Sequence, residues 1–202
     1  MRAVGLRQTK KEATRQQIAG VAMRLFVTRG FDRVTVAQIA AEAGVSEKTV
    51  FNYFPSKEDL FFDEVPDRLH SLAEGLRNRE EGESVLDALR RMQLGMVARL
   101  TSPSFVHFAR TLEGSPELLA KEVDVMARFS HVLAESLQAE GLDERDARVV
   151  ASLLMSVHRQ YFRAARRLAI EGRSGPGAAR RLRADIARSY ELLEHGLGGI
   201  LG

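Results

Sequence analysis

Apolar residues in this chain recur at alternating steps of three and four, the spacing that lines side chains up on one face of an α-helix. No segment shows the sustained two-residue alternation of a strand, so the pattern predicts an all-α protein. Its clearest stretch is Thr35 to Lys57, TVAQIAAEAGVSEKTVFNYFPSK. Thr35 and Gln38 form a capping box, and Val36, Ile39, Ala40 and Ala43 make the apolar stripe of a short helix. Gly44 supplies a left-handed turn, which glycine adopts at least cost. Val45 packs inward, Ser46 caps a second helix from Glu47 to Phe54, and Pro55 stops it. Ser56 and Asp59 then open a third helix with another capping box. Two short helices around a glycine turn make the helix-turn-helix pattern, whose second helix normally enters a DNA major groove.

Beyond Lys57 the helical period continues to about Arg77, with a kink or break expected near Pro66, where an N–H is missing and the ring is bulky. Glu80 to Glu83 reads as a polar connection. Ser84 to Leu100 carries Val85, Leu89, Met92 and Met96 on one face, and a shorter helix from Thr101 runs through Phe105, Phe108 and Leu112. Gly114-Ser115-Pro116 opens the next, striped by Leu119, Val123, Met126, Ser130, Leu133 and Leu137 and ending near Gly141. Asp143 caps a helix to about Glu171 that has two adjoining apolar faces. One holds Val150, Leu153, Val157, Tyr161, Ala164 and Leu168; the other holds Ala151, Leu154, His158, Phe162, Ala165 and Ala169. Its charge sits elsewhere, at Arg145, Arg148, Arg159, Arg163 and Arg166. A helix this broadly apolar needs partners on more than one side. After a loop at Gly172 to Gly177, the last helix, Ala178 to Leu197, has a narrower stripe in Ala178, Leu182, Ile186, Leu193 and Leu197.

Charge changes the picture at one end. Residues 1–57 hold ten Lys and Arg against four Asp and Glu, whereas the remainder holds 20 against 23. A basic first quarter on a slightly acidic body suits a polyanionic partner, double-stranded DNA in particular. The absence of Cys excludes disulfides and thiolate metal sites. The start of the chain lacks the apolar run of a signal peptide, and Val149 to Val157 is far too short to span a membrane. A soluble, cytoplasmic protein with no membrane partner is expected. The five His show no metal-ligand spacing, and neither a glycine-rich phosphate loop nor Gly-X-Ser-X-Gly occurs. No catalytic residue, metal site or cofactor is predicted.

From about Lys10 to Phe62 the chain resembles the DNA-binding end of the TetR family of one-component transcriptional regulators. The resemblance rests on Ile18, Ala22, Leu25 and Phe26, the Arg29-Gly30-Phe31 helix stop, Thr35, Ile39-Ala40 and Ala43-Gly44-Val45-Ser46. It continues through Thr49, Tyr53-Phe54 and Ser56 to Leu60. One position departs: Phe51 stands where family members often have a Tyr whose hydroxyl meets a phosphate. The resemblance implies an N-terminal three-helix helix-turn-helix domain, residues 1–56, and a larger C-terminal helical domain, residues 57–202, for effector binding and dimerisation. It implies a repressor that binds a pseudo-palindromic operator as a homodimer and is released by a small apolar or amphipathic effector. The other open reading is a helical DNA-binding or assembly protein without an inducer switch.

On the second helix of the motif, Glu47, Lys48 and Asn52 suit base edges: Lys matches guanine, Asn adenine, and Glu accepts from cytosine. Glu47 also fits as a plain helix N-terminal charge. Thr35, Ser46, Thr49, Tyr53 and Lys57 suit phosphates, and the hydroxyl residues serve equally as caps. Arg2, Arg7, Lys10 and Lys11 read as a flexible basic arm. For the implied effector pocket, apolar lining is available in Phe62, Leu69, Met92, Met96, Phe108 and Met126, and further on in Phe129, Met155 and Phe162. Gln93, Ser130, His131 and His158 are polar residues close to those stripes, where burial without a partner is costly. The implied dimer interface of the last two helices would use Leu153, Val157, Tyr161, Leu182, Ile186 and Leu193. The same residues fit an ordinary monomer core.

Overall fold

The computed structural model describes residues 2–196, with side chains from Lys10 onward, and every regular element among them is an α-helix. The helices are α1 (Arg2–Arg29), α2 (Val36–Ala43), α3 (Glu47–Tyr53), α4 (Lys57–Phe61) and α5 (Val65–Arg77). They continue as α6 (Val85–Leu100), α7 (Pro103–Glu113), α8 (Pro116–Ala139), α9 (Glu144–Ile170) and α10 (Pro176–His195). Leu197 lies outside the described residues, as do the side chains of Arg2 and Arg7. The stretch expected to be a flexible basic arm continues α1 as helix.

The chain forms two compact units, Met1–Val65 with Thr111–Lys121, and Pro66–Arg110 with Glu122–Gly202. The expected boundary after residue 56 therefore moves to Val65–Pro66. The cause is α4, whose Leu60 and Phe61 are buried, with Phe61 packed 6.5 Å from Phe26 and 6.4 Å from Phe31 between ring centroids. The helical break falls at Phe62 to Glu64, ahead of the proline expected to cause it. A proline ring collides with the carbonyl four residues earlier, which here belongs to Phe62, the residue that caps α4.

In the first unit, α1 buries Ile18, Val21, Ala22, Leu25 and Phe26, α2 buries Ile39, Ala40 and Ala43, and α3 contributes Val50. The Thr35 capping box is complete on both sides, and Gln17 Nε2 donates to the carbonyl of Ala43 at 2.9 Å. Gly44 stands at φ 67°. Its N–H reaches the Ala41 carbonyl at 3.2 Å and that of Val45 reaches Ala40 at 3.0 Å, closing the turn. Nothing lies within 4 Å of where a Cβ at Gly44 would stand, so Gly44→Ala suffers from backbone strain alone. It should cost about 1–2 kcal/mol, seen as a lower Tm in thermal denaturation.

Sequence spacing placed nothing beyond α4 in this unit, yet residues 111–121 belong to it. Leu112 and Leu118 are fully buried. Ser115 Oγ donates to Asp32 at 2.7 Å, and Lys121 Nζ lies 3.0 Å from Asp59. Asp59 also accepts from Ser56 Oγ at 2.9 Å, so the cap of α4 and the start of α8 share one carboxylate.

The second unit has a core of Leu89, Val97, Leu133, Leu154, Leu182, Ile186 and Tyr190, with α10 packed on α6 and α9. Met92 lies against Gly75, where an added Cβ would come within 2.8 Å of its Cε, so a larger residue there would require the flexible end of Met92 to shift. The stripe expected on α8 is displaced at its start. Val123 is 67 % exposed, while Leu118, Val125, Leu133 and Leu137 are buried. The helix supplies Leu118 to the first unit and Val125 to the second, so no single stripe serves both.

Candidate functional site

On α3, Glu47, Lys48, Phe51 and Asn52 share the solvent face opposite buried Val50. Ser46 Oγ accepts from the Thr49 N–H at 3.1 Å and lies 2.8 Å from Thr49 Oγ1, which fixes the helix start. Thr49 and Tyr53 are half-buried at the flanks, and Thr35 is exposed at the start of α2. The structure thus brings Thr35, Ser46, Glu47, Lys48, Thr49, Asn52 and Tyr53 into one unit, with the polar side chains of α3 outward. Lys57 is differently engaged. Its ammonium donates to the Phe31 carbonyl at 3.3 Å and sits 4.1 Å from the Phe31 ring centroid, so it first of all ties α4 to the end of α1. Phe51, read from sequence only as a missing hydroxyl, is 49 % exposed beside Lys48 and Asn52. Its signal was an aromatic residue off the buried stripe of an otherwise polar helix face. Such a side chain can meet a thymine methyl.

The residues expected to line an effector pocket are dispersed. Phe62 belongs to the first unit, edge-on to Phe61 at 5.1 Å. In the second unit, Leu69 and Met155 are buried and Met92, Met96 and Phe108 half-buried. His158 stacks between Phe129 (6.1 Å) and Phe162 (6.0 Å), and Phe162 meets Phe105 edge-on at 5.6 Å. Tyr161 Oη is 2.5 Å from His158 Nδ1. Burial, with the positive charges of Arg68 and Arg159 behind it, pushes His158 down to about 4. The ring is neutral near pH 7, and its Nδ1 shares a hydrogen bond with the Tyr161 hydroxyl. Burial likewise pushes the Tyr161 hydroxyl up, keeping it protonated. Gln93 and Tyr190 are buried with Oε1 and Oη lacking a hydrogen-bond partner among the described residues. Each is a polar atom placed where a ligand group or water would be held.

Met126, Ser130 and Phe162 line a groove of about 750 Å³ between α8 and α9. Arg166, read as a solvated charge, is instead buried on the core side of that groove. Its Nη1 donates to both Glu122 carboxylate oxygens at 2.8 and 2.7 Å, and its guanidinium lies 5.9 Å from the Phe162 ring centroid. Only tertiary packing could reveal this, since Glu122 is 44 residues away.

The expected interface residues also separate. Tyr161, Leu182 and Ile186 are core within the single chain, and Leu193 is half-buried against that core. They turn inward because α10 packs on α6 and α9. Leu153, 51 % exposed, remains on the outer face of α9, joined by Val149 at 54 %, while Val157 is half-buried and packed against the core. No described helix is long and apolar enough to cross a membrane.

Comparison with known proteins agrees with this geometry. Residues 18–63 match the profile of bacterial regulatory proteins of the tetR family. The HTH-type transcriptional regulator TcmR of Streptomyces glaucescens is 30 % identical over 151 residues, 70 % of this chain and 67 % of that protein. The chain belongs to the TetR family. As a TetR-family chain it is a DNA-binding transcriptional regulator, with α2 and α3 as its helix-turn-helix. A TetR regulator from a Rhodococcus species shares the fold at TM-score 0.55 and 22 % identity, over 94 % of this chain and 99 % of that one. The TetR-family repressor FadR of Thermus thermophilus, solved with lauroyl-CoA, matches at TM-score 0.53 and 25 % identity, over 93 % and 95 %.

Proposed function

We propose that this TetR-family regulator is a repressor that binds a pseudo-palindromic operator as a homodimer and is released by a small apolar or amphipathic effector. The outward face of α3 carries the reading: two polar side chains with base-edge chemistry, Lys48 and Asn52, stand exposed and rigidly presented over buried Val50. Thr35, Ser46 and the flanking Thr49 and Tyr53 are placed to meet phosphates through hydroxyls and helix-start N–H groups. Two-fold symmetry of the protein would match two half-sites about one DNA turn apart. The outer face of α9, with Val149 and Leu153 exposed and Val157 half-buried at its edge, offers apolar surface suited to pairing with its symmetry mate. Across α10 the outer face is instead charged, with Arg181, Asp185 and Arg188 all exposed, which supports α9 as the dominant contact. An effector in the second unit is supported by its orphaned polar atoms and its groove, and by the lauroyl-CoA held by the Thermus thermophilus repressor.

Fluorescence anisotropy on an operator selected from random sequence tests the reading. Lys48→Ala and Asn52→Ala should each weaken binding by about 1–3 kcal/mol and relax preference at one position per half-site. Wild-type affinity and sequence preference in both variants would remove α3 from recognition.

A further inference from the structure

The groove between α8 and α9 has two chemically different ends. At one end Glu135 lies 3.3 Å from His131, and Glu144 pairs with Arg148. Glu122, also in the lining, pairs with Arg166. At the other end Arg159 and Arg163, one helical turn apart on α9, line the groove with no carboxylate pairing either among the described residues. The Arg159 guanidinium donates to Ser156 Oγ at 2.9 Å. Beside these two cations the wall is hydrocarbon and aromatic: Val123, Met126 and Phe162. Val123 is 67 % exposed. The volume, about 750 Å³, lies within the range of small-molecule sites, about 300–1,000 Å³.

We propose that this groove binds an amphipathic carboxylate, with the head group on Arg159 and Arg163 and the hydrocarbon along Val123, Met126 and Phe162. Two guanidiniums one turn apart are suited to a carboxylate because each offers a planar fork of N–H donors to its oxygens. The adjoining apolar wall demands that the rest of the ligand be hydrocarbon, which disfavours free phosphate and other small inorganic anions. As the site of the inducer, the groove rests on the repressor reading above; as a binding site it stands without it.

The test is isothermal titration of the full-length protein with decanoate, decanol and decyltrimethylammonium, below their micelle concentrations. Decanoate should bind about tenfold or more tightly than decanol, the lower end of what a charge-assisted hydrogen bond contributes, and the cationic amphiphile should bind weakest. In the Arg159→Gln, Arg163→Gln double variant the preference for decanoate over decanol should collapse to near unity. Val123→Glu should weaken both. These side chains are exposed or half-buried, so thermal melts should show the variants folded. Equal affinity for decanoate and decanol, no saturable decanoate binding, or an unchanged preference in the double variant would each overturn the proposal. Operator anisotropy with decanoate separates the two readings. Binding without release keeps the groove and rejects it as the inducer site. Release by some other ligand, with no decanoate bound, rejects the groove and keeps the repressor.

Discussion

Ile186→Arg should abolish cooperative folding, whereas Leu153→Arg should give a folded monomer. Both residues are apolar and lie on the last two helices, so sequence treats them alike. Ile186 is fully buried in the hydrophobic core of the second unit; the penalty of several kcal/mol for a charge buried among apolar side chains is a large share of a typical stability of about 5–15 kcal/mol. Leu153 is 51 % exposed, so the same substitution leaves the single chain intact and places a charge on the proposed symmetric contact, where each Arg meets its own copy. Far-UV circular dichroism should show a cooperative melt for Leu153→Arg and none for Ile186→Arg. Sedimentation should show the Leu153 variant as a monomer with much weakened operator affinity, since its half-sites are no longer linked. A Leu153→Arg protein that sediments as a dimer would move the interface off α9.

The second large effect concerns Glu122. Converting it to Gln removes the carboxylate that accepts two hydrogen bonds from the Arg166 guanidinium, 8 % exposed, and should lower stability markedly in chemical denaturation. Replacing both members by Met should be close to neutral, because the pair must also recover the desolvation of two ions. A double-mutant cycle measures the coupling directly. If Glu122→Gln melted like the wild-type protein, the pair would be solvated in solution and the wall of the groove looser than described.

Glu122 also marks where the two units meet along the chain. Lys121 belongs to the first unit and pairs with Asp59, while its neighbour Glu122 belongs to the second and pairs with Arg166. Successive side chains on a helix point about 100° apart, so two adjacent residues can be bonded into different cores without bending the backbone. Nothing in the spacing around Lys121 and Glu122 announces either bond.

What the sequence determined by itself is local. The caps at Thr35, Ser46 and Asp143, the left-handed Gly44, and the solvent-facing chemistry of Lys48 and Asn52 follow from a few neighbouring residues, because capping and turn geometry act over one helical turn. The family resemblance and the all-helical fold were legible for the same reason. Tertiary structure decided everything that depends on which face meets which. It buried Arg166, turned Leu182 and Ile186 inward, left Leu153 and Val123 outside, and drew residues 111–121 into the first unit. A period of three and four says that a helix has an apolar face. It carries no information on whether that face meets its own chain, a second copy or a ligand, because burial is non-directional and is settled by partners distant in sequence.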